Sequence, residues 1–221
     1  VGLLIDVGKL RIPRTLLERR GKLTSAEFDE VKRHVDYGLE MLNGTDGVTP
    51  AVLQGIAEHH ERMNGQGYPF GLRDQQISVY GRIAGLADCF AALISPRPYA
   101  QAMAPSDSLV RLFEWSGEYF HPALVERFVQ AIGVFPVGSM VELSTGHVGI
   151  VIRHNRLRRL QPKILLLTDS HKRPRKEPME IDLMKSKTRE DDRVVRIVRG
   201  LPAGAYGLDT NAFIAGATQA Q

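Results

Sequence analysis

The first 133 residues place apolar side chains at helical spacing, with short polar breaks between the runs. Thr24 and Glu27 form the capping-box pattern that starts a helix, and apolar residues then recur every three or four positions. This predicted helix ends at Asn43-Gly44. The pair Thr49-Pro50 starts the next helix with a cap and a proline at its first position. Further helices are predicted over 81–93, 106–116 and 122–132.

The pattern changes near Pro136, where short runs rich in β-branched residues replace the helical spacing. Strands are predicted over 140–143, 148–152, 164–168 and 194–198, and Ser144-Thr145-Gly146 suits a hairpin turn. We therefore expect a mainly α fold, in which a helical bundle precedes a small β module.

The predicted organisation has three parts. Residues 1–135 form the helical domain, residues 136–200 form a small β-rich C-terminal module, and residues 201–221, rich in Ala and Gly, form a flexible tail. The chain opens inside an apolar run and without Met, so we expect the helical domain to be incomplete at its N-terminus.

Composition narrows the class of protein. A chain of 221 residues with 43% hydrophobic residues can bury a substantial core. Cys89 is the single cysteine, which excludes a disulfide framework or a cysteine-based zinc site and fits a reducing cytoplasm. No apolar stretch approaches the roughly 20 residues of a membrane helix, and no signal peptide is visible. A cytoplasmic location is expected.

The formal charge of +4 is unevenly distributed, since nine Lys and Arg residues fall between Arg153 and Lys176. The basic stretch lacks the interleaved aromatic residues of many nucleic-acid interfaces, and solvated loops explain it better. No nucleic-acid partner is expected. The charge can still attract an anionic ligand.

Candidate metal ligands come from four separate segments. His59 and His60 are adjacent near the end of a predicted helix, His34 lies within another, and Asp6 follows an apolar run. Asp88 lies in the most apolar helix, where an isolated carboxylate costs several kcal/mol unless it is protonated, paired or bound to a cation (about 2–7 kcal/mol for a polar group). Mixed imidazole and carboxylate ligands suit Fe, Mn, Zn or a similar divalent ion.

Each of these residues also has a purely structural interpretation. A single helical His is more commonly a core or surface residue, and Asp88 can pair with Arg82 or Arg97. Adjacent imidazoles point about 100° apart on a helix, so His59 and His60 reach one cluster only near the helix end. The Gly-rich segment 65–69 can be a simple tight turn. The joint pattern favours the metal interpretation.

The order of these motifs resembles that of the HD-GYP family, a branch of the HD metal-dependent phosphohydrolases. The resemblance covers roughly residues 1 to 133. Its motifs are Asp6-Val7-Gly8-Lys9, Ile12-Pro13, Gly21-Lys22-Leu23-Thr24, His34, His59-His60-Glu61-Arg62, Asn64-Gly65, Gly67-Tyr68-Pro69, Ala87-Asp88 and Arg97-Pro98-Tyr99. The β module also resembles a C-terminal extension of some members.

This resemblance implies a bacterial signalling hydrolase that cleaves cyclic di-GMP with a divalent transition metal (Fe, Mn or similar) at one to two sites. It implies a catalytic role for Asp6 and Lys9. The implied metal ligands are Asp6, His34, His59, His60 and Asp88. The implied substrate contacts are Lys9, Tyr68 and Arg97. The implied partner loop comprises Gly65, Gly67, Tyr68 and Pro69, which would contact diguanylate cyclase (GGDEF) domains. Family members often pair, so a homodimer is among the expected states.

The chain departs from the family pattern at one metal-binding position and at three positions of the substrate region. Ile5 stands in place of the His of the His-Asp pair, and Ile cannot ligate a metal. Ala91, Pro96 and Ala100 replace polar residues of the substrate region. Two functions therefore stay open: a cyclic di-GMP phosphodiesterase with impaired activity, or a catalytically inactive module that acts by nucleotide binding or protein interaction.

Overall fold

A computed structural model describes residues 1–97, 100–186 and 194–208 of the chain. These residues belong to two compact units. The first unit comprises Val1–Ala92, Pro96–Gln101 and Leu112–Arg127. The second unit comprises Leu93–Ser95, Ala102–Arg111 and the chain from Phe128 onward.

Seven α-helices occur in the described ranges, and most start and end close to the predicted positions. The capping box at Thr24 is present, because its side chain accepts from the Glu27 backbone while the Glu27 carboxylate accepts from the Thr24 backbone. Thr49 precedes Pro50 as expected but makes no side-chain cap hydrogen bond. The helices are α1 (Arg14–Leu17), α2 (Ser25–Lys32), α3 (His34–Leu42), α4 (Pro50–Glu58), α5 (Val79–Ile94), α6 (Pro105–Glu114) and α7 (Pro122–Ile132).

The helix predicted from Thr24 to Leu42 is two helices, separated at Arg33. The ring Nδ1 of His34 donates to the carbonyl oxygen of Val31 at 2.7 Å. This side-chain bond therefore contacts the last turn of α2, directly before the break. The break lets His34 begin α3 with its ring buried.

The second unit contains a five-stranded antiparallel sheet. Its strand order is β4-β3-β2-β1-β5, and apolar clusters cover both faces. The strands are β1 (Met140–Leu143), β2 (Val148–Arg153), β3 (Lys163–Thr168), β4 (Pro174–Asp182) and β5 (Ile197–Leu201). A helical domain and a sheet module are both present, so the predicted mainly α class is confirmed only in part.

Two features of the sheet differ from the sequence-based expectation. Strand β4 was not predicted, because it is an exposed edge strand that begins at Pro174 and contains Pro178. Strand β5 ends at Leu201, which is buried, as is Leu208. The first eight residues of the predicted tail therefore belong to the sheet module, and residues 209–221 lie outside the described residues. Within the described ranges, the helices are too short or too polar for a membrane crossing.

Candidate metal centre

A 3₁₀ turn at Val7–Arg11 carries the first motif against α3. Gly8 is required here, because a Cβ atom at this position would overlap the carbonyl oxygen of His34. The Lys9 ammonium donates to Asp6 Oδ2 at 2.6 Å, which leaves Asp6 Oδ1 for other partners.

The rings of His34 and His59 are held in the same way. Each Nδ1 lies next to the carbonyl oxygen three residues earlier, at 2.7 Å from Val31 for His34 and 2.6 Å from Ile56 for His59. A carbonyl oxygen only accepts, so each Nδ1 carries the proton. In the neutral ring the Nε2 atom then holds a lone pair and can ligate a metal.

His59 and His60 follow directly after the last residue of α4, Glu58. Their ring centroids lie 4.0 Å apart, and that of His34 lies 5.1 Å from His60. Within a helix two adjacent imidazoles would point about 100° apart. Because His59 and His60 lie beyond the end of α4, their rings lie close together.

Asp6, His34, His59 and His60 form one cluster in which one ligand atom from each lies within 4.8 Å of the others. The Nε2 atoms of His34 and His59 face each other at 3.4 Å, and Asp6 Oδ1 lies 3.5 Å from the Nε2 of His34. Asp6 Oδ1 is buried and has no hydrogen-bond partner. Lone pairs that converge in this way without a donor suit a bound cation, so these residues fit a divalent metal.

Protonation of the imidazoles does not supply this positive charge at neutral pH. Burial lowers the pKa of His59 to about 4, and burial also lowers the pKa of His34 and of His60. The three imidazoles are therefore neutral in the metal-free protein near pH 7, which is the form that binds metals.

A loop after His60 lies against the cluster, and its buried anchor is Glu61. The Glu61 carboxylate accepts from the backbone N–H groups of Phe70 (2.7 Å), Gly71 (3.1 Å) and Leu72 (2.9 Å). The Tyr68 ring stacks on His60 with centroids 4.5 Å apart. Glu61 thus fixes the loop segment that follows the stacked ring.

A cavity of about 510 Å³ opens beside the cluster, lined by Ile5, Asp6 and Asp88 among others. Burial and, to a lesser extent, the charge of Asp6 raise the pKa of Asp88. Ile5 is only 9% exposed and presents an apolar side chain to this space. The cavity wall where a second set of ligands would converge is therefore mostly apolar.

The predicted site residues are brought together to different degrees. Four predicted metal ligands form the cluster, whereas Asp88 lies near Asp6 but outside it, and its role as a ligand stays a prediction. Arg97 is exposed, and its backbone exchanges two hydrogen bonds with that of Ala100. Pro98 and Tyr99 lie outside the described residues. The anchoring role of Glu61 was missed, although the residue directly follows the His pair.

Comparisons with known proteins agree with this geometry. The HD domain family matches residues 1–124, and the KOW domain associated with the HD domain matches residues 140–198. The cyclic di-GMP phosphodiesterase PA4108 of Pseudomonas aeruginosa is 35% identical over 194 residues, which are 88% of this chain and 46% of that protein.

Two further relatives match the helical part. The cyclic di-GMP phosphodiesterase response regulator RpfG of Xanthomonas campestris is 40% identical, over 57% of this chain and 33% of that protein. The 3'3'-cGAMP-specific phosphodiesterase 2 of Vibrio cholerae is 38% identical, over 57% of this chain and 24% of that protein. The chain thus spans less than half the length of these relatives. Since the HD domain family matches more than half of the chain and the HD-GYP motifs contain the four clustered residues, the chain belongs to the HD domain family, in its HD-GYP branch.

Proposed function

We propose that this chain is a metal-dependent phosphodiesterase domain that binds cyclic di-GMP and hydrolyses it slowly. The observation that carries the proposal is the convergence of four ligand atoms from Asp6, His34, His59 and His60, with an orphaned buried oxygen at Asp6. Donor sets of this mixture suit Fe, Mn or Zn better than Ca or Mg. We favour one occupied site, because the neighbouring wall contains Ile5.

Cyclic di-GMP is the substrate we favour. The PA4108 relative, named as a cyclic di-GMP phosphodiesterase, matches both the helical part and the sheet module of this chain. The third relative described above is named for 3'3'-cGAMP, which also contains guanine. A guanine-containing cyclic dinucleotide is common to all three names.

The residues of the chain itself would bind and orient the scissile phosphate. A divalent metal, when bound, supplies a hydroxide nucleophile at neutral pH and positive charge for the phosphate oxygens. Lys9 holds Asp6 in place and adds an ammonium beside the cluster, where negative charge increases in the transition state. Tyr68 would form one wall of the pocket, and Arg97 would contact a second phosphate.

Slow turnover follows from Ile5. With Ile5 in place of a ligand, Asp6 and Asp88 are the candidate ligands at the second position among the described residues. Two carboxylates without an imidazole hold a transition metal weakly. The same observation favours a second candidate function: a nucleotide-binding module without turnover. In that case the loop with Gly65, Gly67, Tyr68 and Pro69 would act as a docking site for diguanylate cyclase domains; its Pro69 and Phe70 are exposed.

A hydrolysis assay on the purified chain decides between the two functions. With added Mn²⁺ or Fe²⁺, we expect slow formation of pGpG from cyclic di-GMP, abolished by Asp6→Ala. Glu40→Gln is the matched control, since Glu40 is an exposed carboxylate paired with Arg11. Binding of cyclic di-GMP without any pGpG supports the silent module, and absence of both binding and hydrolysis contradicts the proposal.

A further inference from the structure

Helix α2 presents an aromatic side chain next to the loop that covers the metal cluster. Phe28 is 44% exposed, and its ring centroid lies 6.2 Å from that of Tyr68 in an edge-to-face arrangement. Tyr68 in turn stacks on the cluster residue His60. The rings of His60, Tyr68 and Phe28 therefore lie in a row, which starts at the cluster and ends at the exposed Phe28.

Lys32, one helical turn after Phe28, adds a positive charge to this row. Its ammonium lies 4.7 Å from the Phe28 centroid and 5.7 Å from the Tyr68 centroid, both within cation–π range. The same ammonium pairs with Asp29 at 2.8 Å. Single exposed apolar side chains are ordinary on protein surfaces, but an exposed ring that shares a cation with a site residue is a more specific arrangement.

We propose that Phe28 and Lys32 bind a guanine base of the nucleotide whose phosphate lies at the metal cluster. This inference rests on the proposed function. An exposed aromatic face stacks on any base, which is how many proteins hold unpaired nucleotides. A lysine ammonium only donates hydrogen bonds, so it suits the O6 and N7 acceptors of guanine better than the N6 amino group of adenine.

The arrangement also explains how α2 contributes to specificity without supplying a metal ligand. Phe28 provides stacking, which tolerates either purine, whereas Lys32 provides the preference for guanine. Removing the ring should therefore weaken binding of every purine ligand. Removing the charge should chiefly reduce the preference for cyclic di-GMP over cyclic di-AMP.

Isothermal titration of the Mn²⁺-loaded chain with cyclic di-GMP tests the role of the ring. We expect Phe28→Ala to raise the dissociation constant by a factor of about 5 to 150, the range for loss of one base–aromatic stacking contact. Phe28→Trp retains an aromatic face and should therefore bind cyclic di-GMP about as tightly as the wild type. Phe113→Ala is the matched control, because Phe113 is exposed to a similar degree (48%) and lies on α6.

A second titration with inorganic phosphate separates base binding from damage to the cluster. Phosphate has no base, so Phe28→Ala and Lys32→Met should keep wild-type phosphate affinity and metal content. Lys32→Met should also bring the dissociation constants of cyclic di-GMP and cyclic di-AMP closer together.

Three outcomes overturn the inference in distinguishable ways. If the wild-type chain does not bind cyclic di-GMP, the proposed function fails and the base site fails with it. If the wild type binds but Phe28→Ala binds equally well, only the base site fails. If Phe28→Ala loses affinity for cyclic di-GMP and phosphate alike, Phe28 supports Tyr68 and the cluster rather than a base.

Discussion

Ile5 is the residue at which a single substitution is expected to add a metal ligand. Its side chain lines the same cavity as Asp6 and Asp88. An imidazole at this position would join two carboxylates and supply the nitrogen ligand that transition metals favour. We therefore expect Ile5→His to raise the metal content by about one ion per chain and to increase the rate of pGpG formation. Metal content is measured by plasma mass spectrometry after dialysis against Mn²⁺.

Ile5→Val is the control for this change, because it keeps an apolar side chain and should keep the wild-type metal content. A folded Ile5→His variant with unchanged metal content would show that the missing imidazole is not what limits the second position. Circular dichroism of each variant checks that the helices are retained.

The buried imidazoles make the metal-free protein sensitive to acid. Burial lowers the pKa of His59 to about 4, from about 6.5 for a free imidazole, and burial lowers the pKa of His34 too. At pH values between about 4 and 6.5, the His59 imidazole is mostly protonated in the unfolded chain and mostly neutral in the folded chain. The free energy of unfolding is therefore largest above about pH 6.5 and decreases as the pH falls toward 4. His59 alone should cost about 2 kcal/mol between pH 7.5 and pH 5.

Urea unfolding in the presence of a chelator, at pH 7.5 and at pH 5, measures this loss. His59→Asn should reduce the pH dependence. His171→Gln should not, because His171 is exposed. Equal pH dependence in all three proteins would contradict the assignment of the effect to His59.

At the scale of elements, the close contact between the Val7–Arg11 turn and α3 positions two site residues at once. A Cβ atom at Gly8 would overlap the backbone of His34 and approach the amide nitrogen of Gly38. Gly8→Ala should therefore move the turn, destabilise the fold by about 1–3 kcal/mol, and weaken metal binding by displacing Asp6. Gly2→Ala is the matched control, since a Cβ there meets no atom within 4 Å.

Urea unfolding and metal titration of both variants measure these two effects separately. Normal stability with normal metal affinity in Gly8→Ala would mean that the turn adapts without moving Asp6. Lost stability with normal metal affinity would mean that the contact supports the fold only.

The helices could be predicted from sequence because their signals are local. Thr24 and Glu27 cap α2, and α7 begins and ends as its periodicity predicts, over 122–132. The break at Arg33 was not predicted, because the apolar spacing from Val31 to Val35 continues across it. Strand β4 contains two prolines and forms by pairing with β3, which is a tertiary contact.

The candidate site shows the same difference between features with local sequence signals and features that depend on tertiary contacts. The four residues of the cluster could be named from sequence because their side chains are typical metal ligands and belong to the HD-GYP pattern. The anchoring by Glu61 of three amides nine to eleven residues away was not predicted, because it depends on how the loop closes. The exposure of Phe28 was also not predicted, since its spacing is the same as that of a core position.

At the scale of the whole molecule, the dense basic stretch and the metal cluster belong to different parts of the chain. The four cluster residues lie in the first unit, whereas the nine basic residues between Arg153 and Lys176 lie in the second. The second unit has its own apolar clusters on both faces of the sheet. These apolar clusters contain none of the four cluster residues, so the core of the sheet does not depend on the metal ligands.

This division predicts that metal removal affects the two units differently. A ligand that binds only the folded state, at a free concentration 100 times its dissociation constant, adds about 2.7 kcal/mol to stability. Since the four clustered ligands belong to the first unit, EDTA should lower the melting temperature of that unit and leave the unfolding of the sheet module unchanged. Scanning calorimetry with Mn²⁺ and with EDTA should then show two transitions, of which one moves. His34→Ala should reproduce the EDTA result in the presence of Mn²⁺. A single transition that moves as a whole would instead mean that the two units unfold together, and two unmoved transitions would mean that the cluster binds no metal.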